Sequence, residues 1–98
     1  MYEVYEVRLH RAVDKAIAKL DRPVRARIKE EIVRLRNNPL LGYPLTGKHA
    51  GRRSLHLRAA GVEYRAVYEF DSAQQILWIL YFGTRENFYK ELDRFLKK

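Results

Sequence analysis

At Arg53 the hydrophobic period of this chain changes. Before it, apolar residues recur at helical spacing: Ala12, Val13, Ala16, Ile17 and Leu20, then Val24, Ile28, Ile32 and Leu35. After it, they alternate. Leu55 and Leu57 are interleaved with Ser54, His56 and Arg58, and residues 62–70 set Val62, Tyr64, Ala66, Tyr68 and Phe70 against Glu63, Arg65, Val67 and Glu69. A face repeating every two residues belongs to a strand rather than a helix, so the helical segments precede Arg53 and a run of strands follows it. Residues 75–82 are apolar nearly throughout, as expected of a central strand covered on both sides.

The punctuation agrees with this division. Residues 2–9 are rich in β-formers and read as a strand. Asp21 followed by Pro23 separates the two helical stripes, and Asn37-Asn38-Pro39 ends the second. Around that second stripe Arg25, Arg27, Lys29, Glu30, Glu31, Arg34 and Arg36 form a wet face. Residues 39–52, with Gly42, Pro44, Gly47 and Gly51, read as a loop; Ala60-Gly61 and Asp71-Ser72 make turns. Gly83 closes the long strand, and Phe88, Leu92, Phe95 and Leu96 give a short amphipathic helix. The expected order is β-α-α-β-β-β-α. This is a two-layer α+β domain in which an antiparallel sheet packs against a helical hairpin. With 98 residues and no internal repeat or linker, the chain reads as a single domain over 1–98.

Composition removes several classes of chemistry. The chain has no cysteine, which excludes a disulfide scaffold, a thiolate nucleophile and a Cys-based zinc site. His10, His49 and His56 are scattered with no carboxylate at ligand spacing, so no metal centre is expected. Ser54 and Ser72 lack a nucleophile-elbow context, and Gly47-Lys48 lacks the first glycine of a phosphate loop. No signal peptide or bilayer-spanning run is read, so the expectation is a soluble cytoplasmic protein with no membrane partner.

What remains is cationic. The formal net charge is +8, and no Asp or Glu occurs between Glu31 and Glu63. That window carries Arg34, Arg36, Lys48, Arg52, Arg53 and Arg58, with His49 and His56. A surface rich in cations and poor in carboxylates attracts polyanions, and nucleic-acid phosphates are the natural ones. Arg65 lies inside a strand, where it is either paired with Glu63 or Glu69 or presented to a phosphate. Arg85 follows the long strand, and Tyr89 lies one helical turn on, either in the core or as a stacking platform for a base.

Five segments in order, Asn38-Pro39, Leu45-Thr46-Gly47-Lys48, Leu57-Arg58, Glu63-Tyr64-Arg65-Ala66-Val67-Tyr68-Glu69 and Gly83-Thr84-Arg85 with Phe88-Tyr89, resemble the RelE/ParE toxin superfamily. The RelE-like mRNA interferase branch fits best. The resemblance covers essentially the whole chain. It implies the toxin component of a type II toxin-antitoxin system, neutralised by a cognate antitoxin, which enters the ribosome and cleaves mRNA there. It places catalytic roles on Lys48, Arg65, Arg85 and Tyr89 and calls for no cofactor or metal; from the basic window, His49, Arg52, Arg53 and Arg58 are expected as RNA-binding positions. The family often carries two loop lysines, whereas here Lys48 is followed by His49, so the general base is Lys48 or His49. The RNA 2′-hydroxyl would attack the adjacent phosphate, with no metal involved. Two other readings stand beside this one. One is a ParE-like inhibitor of DNA gyrase that leaves RNA intact. The other is a non-catalytic RNA-binding module. The sequence is silent on oligomeric state and codon preference.

Overall fold

The computed structural model describes residues 4–84, 90 and 92–94. Its elements are β1 (Glu6–Leu9), α1 (Arg11–Ala18), α2 (Arg22–Asn37), β2 (Tyr43–Pro44), β3 (Arg53–Ala59), β4 (Val62–Asp71) and β5 (Ile76–Thr84), with a 3-10 turn at Gly47–His49. Lys90 and residues 92–94 are helical, where the C-terminal helix was expected. The expected positions Phe88, Phe95 and Leu96 lie outside the described residues.

The two-layer α+β arrangement is present. Its sheet has the order β1-β5-β4-β3-β2. From β2 to β5 every pairing is antiparallel, but β1 joins β5 in parallel, Glu6 opposite Ile76 through Leu9 opposite Ile79. The sheet is therefore mixed, where a purely antiparallel one was expected. The helical hairpin carries the chain to the far edge, and the meander walks back until its last strand meets β1 running the same way. The two-residue β2 was not anticipated, because Tyr43-Pro44 sits within turn-forming residues.

Local chemistry explains the boundaries. His10 caps α1, its Nδ1 accepting from the Ala12 amide at 3.2 Å. Pro23 occupies the first turn of α2, where its missing N–H costs nothing. The β3–β4 hairpin turns on Ala60 and Gly61, with φ of 51° and 78°, the twist that matches flanking strands. Between β4 and β5, Asp71 Oδ1 accepts from the amides of Ala73 and Gln74 at 2.9 and 3.2 Å.

The helices bury Val13, Val24, Ile28 and Leu35 against Leu55, Leu57, Ala59, Tyr64, Ala66, Tyr68, Leu77, Ile79 and Phe82. Glu31, expected on the wet face of α2, is only 3 % exposed. Arg27 and Arg34, one turn to either side, fold over it with contacts of 2.6 and 2.9 Å. Burial pushes the Glu31 carboxyl up, but the hydrogen bonds and charges of the two guanidinium groups prevail and hold it below its ordinary range.

One irregularity shapes the other face of the sheet. Val67 pairs with Tyr81 and Tyr68 with Ile79, so Leu80 is an extra residue on β5. Across this bulge the alternation of β5 slips by one. Leu77 and Ile79 belong to the main core, as does Phe82, while Tyr81 turns to the opposite face. There it packs with Val67, Leu92 and Leu45 in a second small apolar cluster. That face is thus covered at its middle by the C-terminal helical residues and the loop before β3.

Candidate active site

Beyond the second cluster, β3, β4 and β5 run side by side along this outer face. Alternation on β4 sends Tyr64 and Ala66 into the helical layer and Arg65 the other way. His56 on β3 and Gly83 on β5 are its partners across the two neighbouring strands, so His56, Arg65 and Gly83 form one row. Arg58 and Glu63 are opposite each other in the adjacent row. A cleft of about 380 Å³ is lined by His56, Leu57, Arg58, Glu63, Tyr64 and Arg65. Arg65 is half-buried, and His56 and Arg58 are exposed.

The floor of this site is rigid. Tyr64 stacks on Phe82 beneath it, with ring centroids 5.2 Å apart and planes 16° from parallel. Gly83 is constrained by space: a Cβ there would strike the Tyr81 hydroxyl. The Tyr81 ring therefore reaches along the outer face to the residue paired with Arg65. The ring of Tyr43 lies 5.6 Å from that of His56, at the outer edge of the sheet.

The other loop cations occupy a second place. On the 3-10 turn, Lys48 Nζ is 2.7 Å from Asp93 Oδ2 and His49 Nε2 is 2.9 Å from Asp93 Oδ1. The hydrogen bond from Lys48 leads in holding the Asp93 carboxyl below its ordinary range, against a smaller opposing effect of burial and with added help from His49. An ionised carboxylate only accepts, so His49 Nε2 is the donor in this pair. The His49 ring is buried at 6 % exposure, whereas the Lys48 side chain is 69 % exposed.

The residues singled out in the sequence thus divide. Arg58 and Arg65 line the cleft together. Lys48 and His49 are tied to Asp93 and are not among the residues lining it. Arg53 fastens the preceding loop, donating to the carbonyls of Gly42 at 3.0 Å and Leu40 at 3.3 Å. Arg52 makes a long ion pair with Glu69 at 3.8 Å. Arg85 and Tyr89 lie outside the described residues. Asp93 was not singled out from the sequence, where no carboxylate is well placed; its partners are 45 and 44 residues away along the chain. The available signal was its neighbour Leu92, an apolar position that must be buried and brings Asp93 with it. Among the described residues, no cluster of three or more His, Asp or Glu could hold a metal ion. No helix among them is long and apolar enough to cross a membrane.

Residues 7–93 match the model of a family described as the ParE-like toxin of type II bacterial toxin-antitoxin systems. The chain belongs to this family. No curated protein matches it in sequence. Among solved structures, this ParE-like toxin is similar to the RelBE2 toxin-antitoxin complex of Mycobacterium tuberculosis, with 28 % identity and a TM-score of 0.68 over 84 % of this chain and 99 % of the other. It also shares the fold of the isolated E. coli RelE toxin, at 23 % identity and TM-score 0.68, covering 94 % of this chain and 98 % of that one. The archaeal RelE-RelB complex of Pyrococcus horikoshii is similar at 22 % identity and TM-score 0.63, over 86 % of this chain and 98 % of its counterpart. The toxin family and a RelE-like fold are therefore established for this chain.

Proposed function

We propose that this ParE-like toxin is a ribosome-dependent mRNA endoribonuclease that arrests translation in the cytoplasm and is neutralised by a cognate antitoxin. The observation that carries the reading is the cleft in which Arg65, Arg58 and His56 converge from two paired strands over a stacked aromatic floor. A guanidinium set on a rigid sheet matches a phosphodiester in shape and charge. It can stabilise non-bridging oxygens as their charge grows in the transition state.

RNA supplies its own nucleophile. The 2′-oxygen attacks the adjacent phosphorus, the bond to the 5′-oxygen breaks, and a 2′,3′-cyclic phosphate and a 5′-hydroxyl result. Arg65 is assigned to the non-bridging oxygens and Arg58 to a flanking phosphate. Lys48 is the cation of the loop, and Arg52 extends the basic surface. Arg85 is assigned to the leaving oxygen and Tyr89 to stacking on a splayed base, both by resemblance. No cofactor or metal enters this scheme. Solved complexes of similar toxins with their antitoxins support a protein partner for this chain.

The test is in vitro translation with purified toxin, followed by primer extension on the message. Codon-phased new 5′ ends are expected, and an intact message would overturn the reading. A second reading is a gyrase inhibitor, which the ParE-like description of the family favours. Stalled, cleaved DNA in a gyrase assay with uncut mRNA would establish it instead.

A further inference from the structure

We infer that His56 is the proton acceptor of this site, in place of either loop residue. The inference rests on the endoribonuclease reading above and specifies its chemistry. A general base has to reach the proton it removes, and geometry therefore comes before affinity for protons. His49 fails on that criterion. Its ring is 6 % exposed and its Nε2 is engaged as donor to Asp93. Lys48 is ion-paired to the same carboxylate, and neither residue lines the Arg65 cleft. His56 is exposed, lines the cleft, and is the cross-strand partner of Arg65. Residues directly opposite on one face of an antiparallel pair have Cβ atoms about 4.5–5.5 Å apart, a spacing that puts an imidazole beside a phosphate held by the neighbouring guanidinium.

The charged and titratable described groups facing His56 come from four elements. They are Arg65 and Glu63 on β4, Arg58 on its own strand, Tyr43 on β2, and Arg27, Glu31 and Arg34 on α2 at its other flank. Glu31 is already engaged by its two arginines. Imidazole is the side chain whose ordinary pKa, about 6.5, lets it accept and release protons at neutral pH.

In the resulting step, His56 takes the proton of the 2′-hydroxyl as the bond from the 2′-oxygen to phosphorus forms. The bond from phosphorus to the 5′-oxygen breaks, and the departing oxygen takes a proton from water. The imidazolium then returns its proton to solvent, which neutralises the hydroxide left when water protonated the departing oxygen.

Single-turnover cleavage of a ribosome-bound message, measured from pH 5 to 9, tests the assignment. Wild-type toxin is expected to show a rate that rises with pH and then levels off once the base has lost its proton. His56→Gln is expected to lose about a hundredfold or more, and the inflection with it. Imidazole added to His56→Ala should restore part of the rate. Thermal melting of both variants verifies that the exposed position leaves the fold intact. Equal rates and identical pH profiles in wild type and His56→Gln would overturn the role of His56 while leaving the ribonuclease reading in place. A wild-type toxin that leaves the ribosomal message uncut would overturn both.

Discussion

The hydroxyl of Tyr68 donates to the Pro39 carbonyl at 2.7 Å and accepts from the Gly42 amide at 2.8 Å. The side chain itself is fully buried, and burial leads in raising its pKa. One phenol thus pins the start of the loop that leads to the 3-10 turn. Tyr68→Phe removes both bonds and strands two backbone groups, so it should cost about 2 kcal/mol of stability in urea denaturation. Glu31 carries the acid sensitivity of the same region. Its carboxyl is depressed in the fold, so its stabilising contribution is complete at neutral pH. That contribution fades as the pH falls from its ordinary value of 4.5 toward the lower folded value. Glu31→Gln should be less stable than wild type at pH 7, with the difference shrinking below pH 4.5 in denaturant titrations. At the cleft, Arg65→Ala should lower mRNA cleavage by roughly a hundredfold or more with little change in melting temperature.

Among the elements, the C-terminal helical residues and the loop before β3 stabilise one another. Leu92 is fully buried against Val67 and Tyr81, and the adjacent Asp93 holds Lys48 and His49. Leu92→Ala should destabilise the protein by about 2–5 kcal/mol, measured by chemical denaturation. Amide hydrogen exchange at residues 47–49 should accelerate in the same variant, because the carboxylate anchor moves with the helix. Much of this level was legible in advance. The switch from period 3.6 to period two located the helices and strands, and the parity of β4 placed Arg65 on the face away from the helices. Three features were not legible. The bulge at Leu80 hides inside an unbroken apolar run, where no polar residue marks the slip. Glu31 reads as a surface residue because burial by flanking arginines leaves no hydrophobic signature. The pairing of Lys48 with Asp93 depends on packing between distant segments, and local pattern carries no information about it.

For the whole molecule, charge and topology set the behaviour. With a net charge of +8, any association of this toxin with RNA is expected to depend steeply on salt. Removing one cation that neutralises a phosphate lowers the slope of log affinity against log salt by about 0.7 for single strands, so Arg58→Gln should reduce that slope by about this amount in fluorescence titrations. The sheet carries a different consequence. Among the described strands β5 comes last in chain order, yet it lies between β4 and the edge strand β1, whose only strand neighbour it is among the described residues. A nascent chain lacking residues 76–84 therefore leaves β1 and β4 without the strand that joins them, and Tyr64 without the Phe82 ring beneath the cleft. The floor of the cleft is therefore completed only once β5 has been made, after every other described strand has emerged.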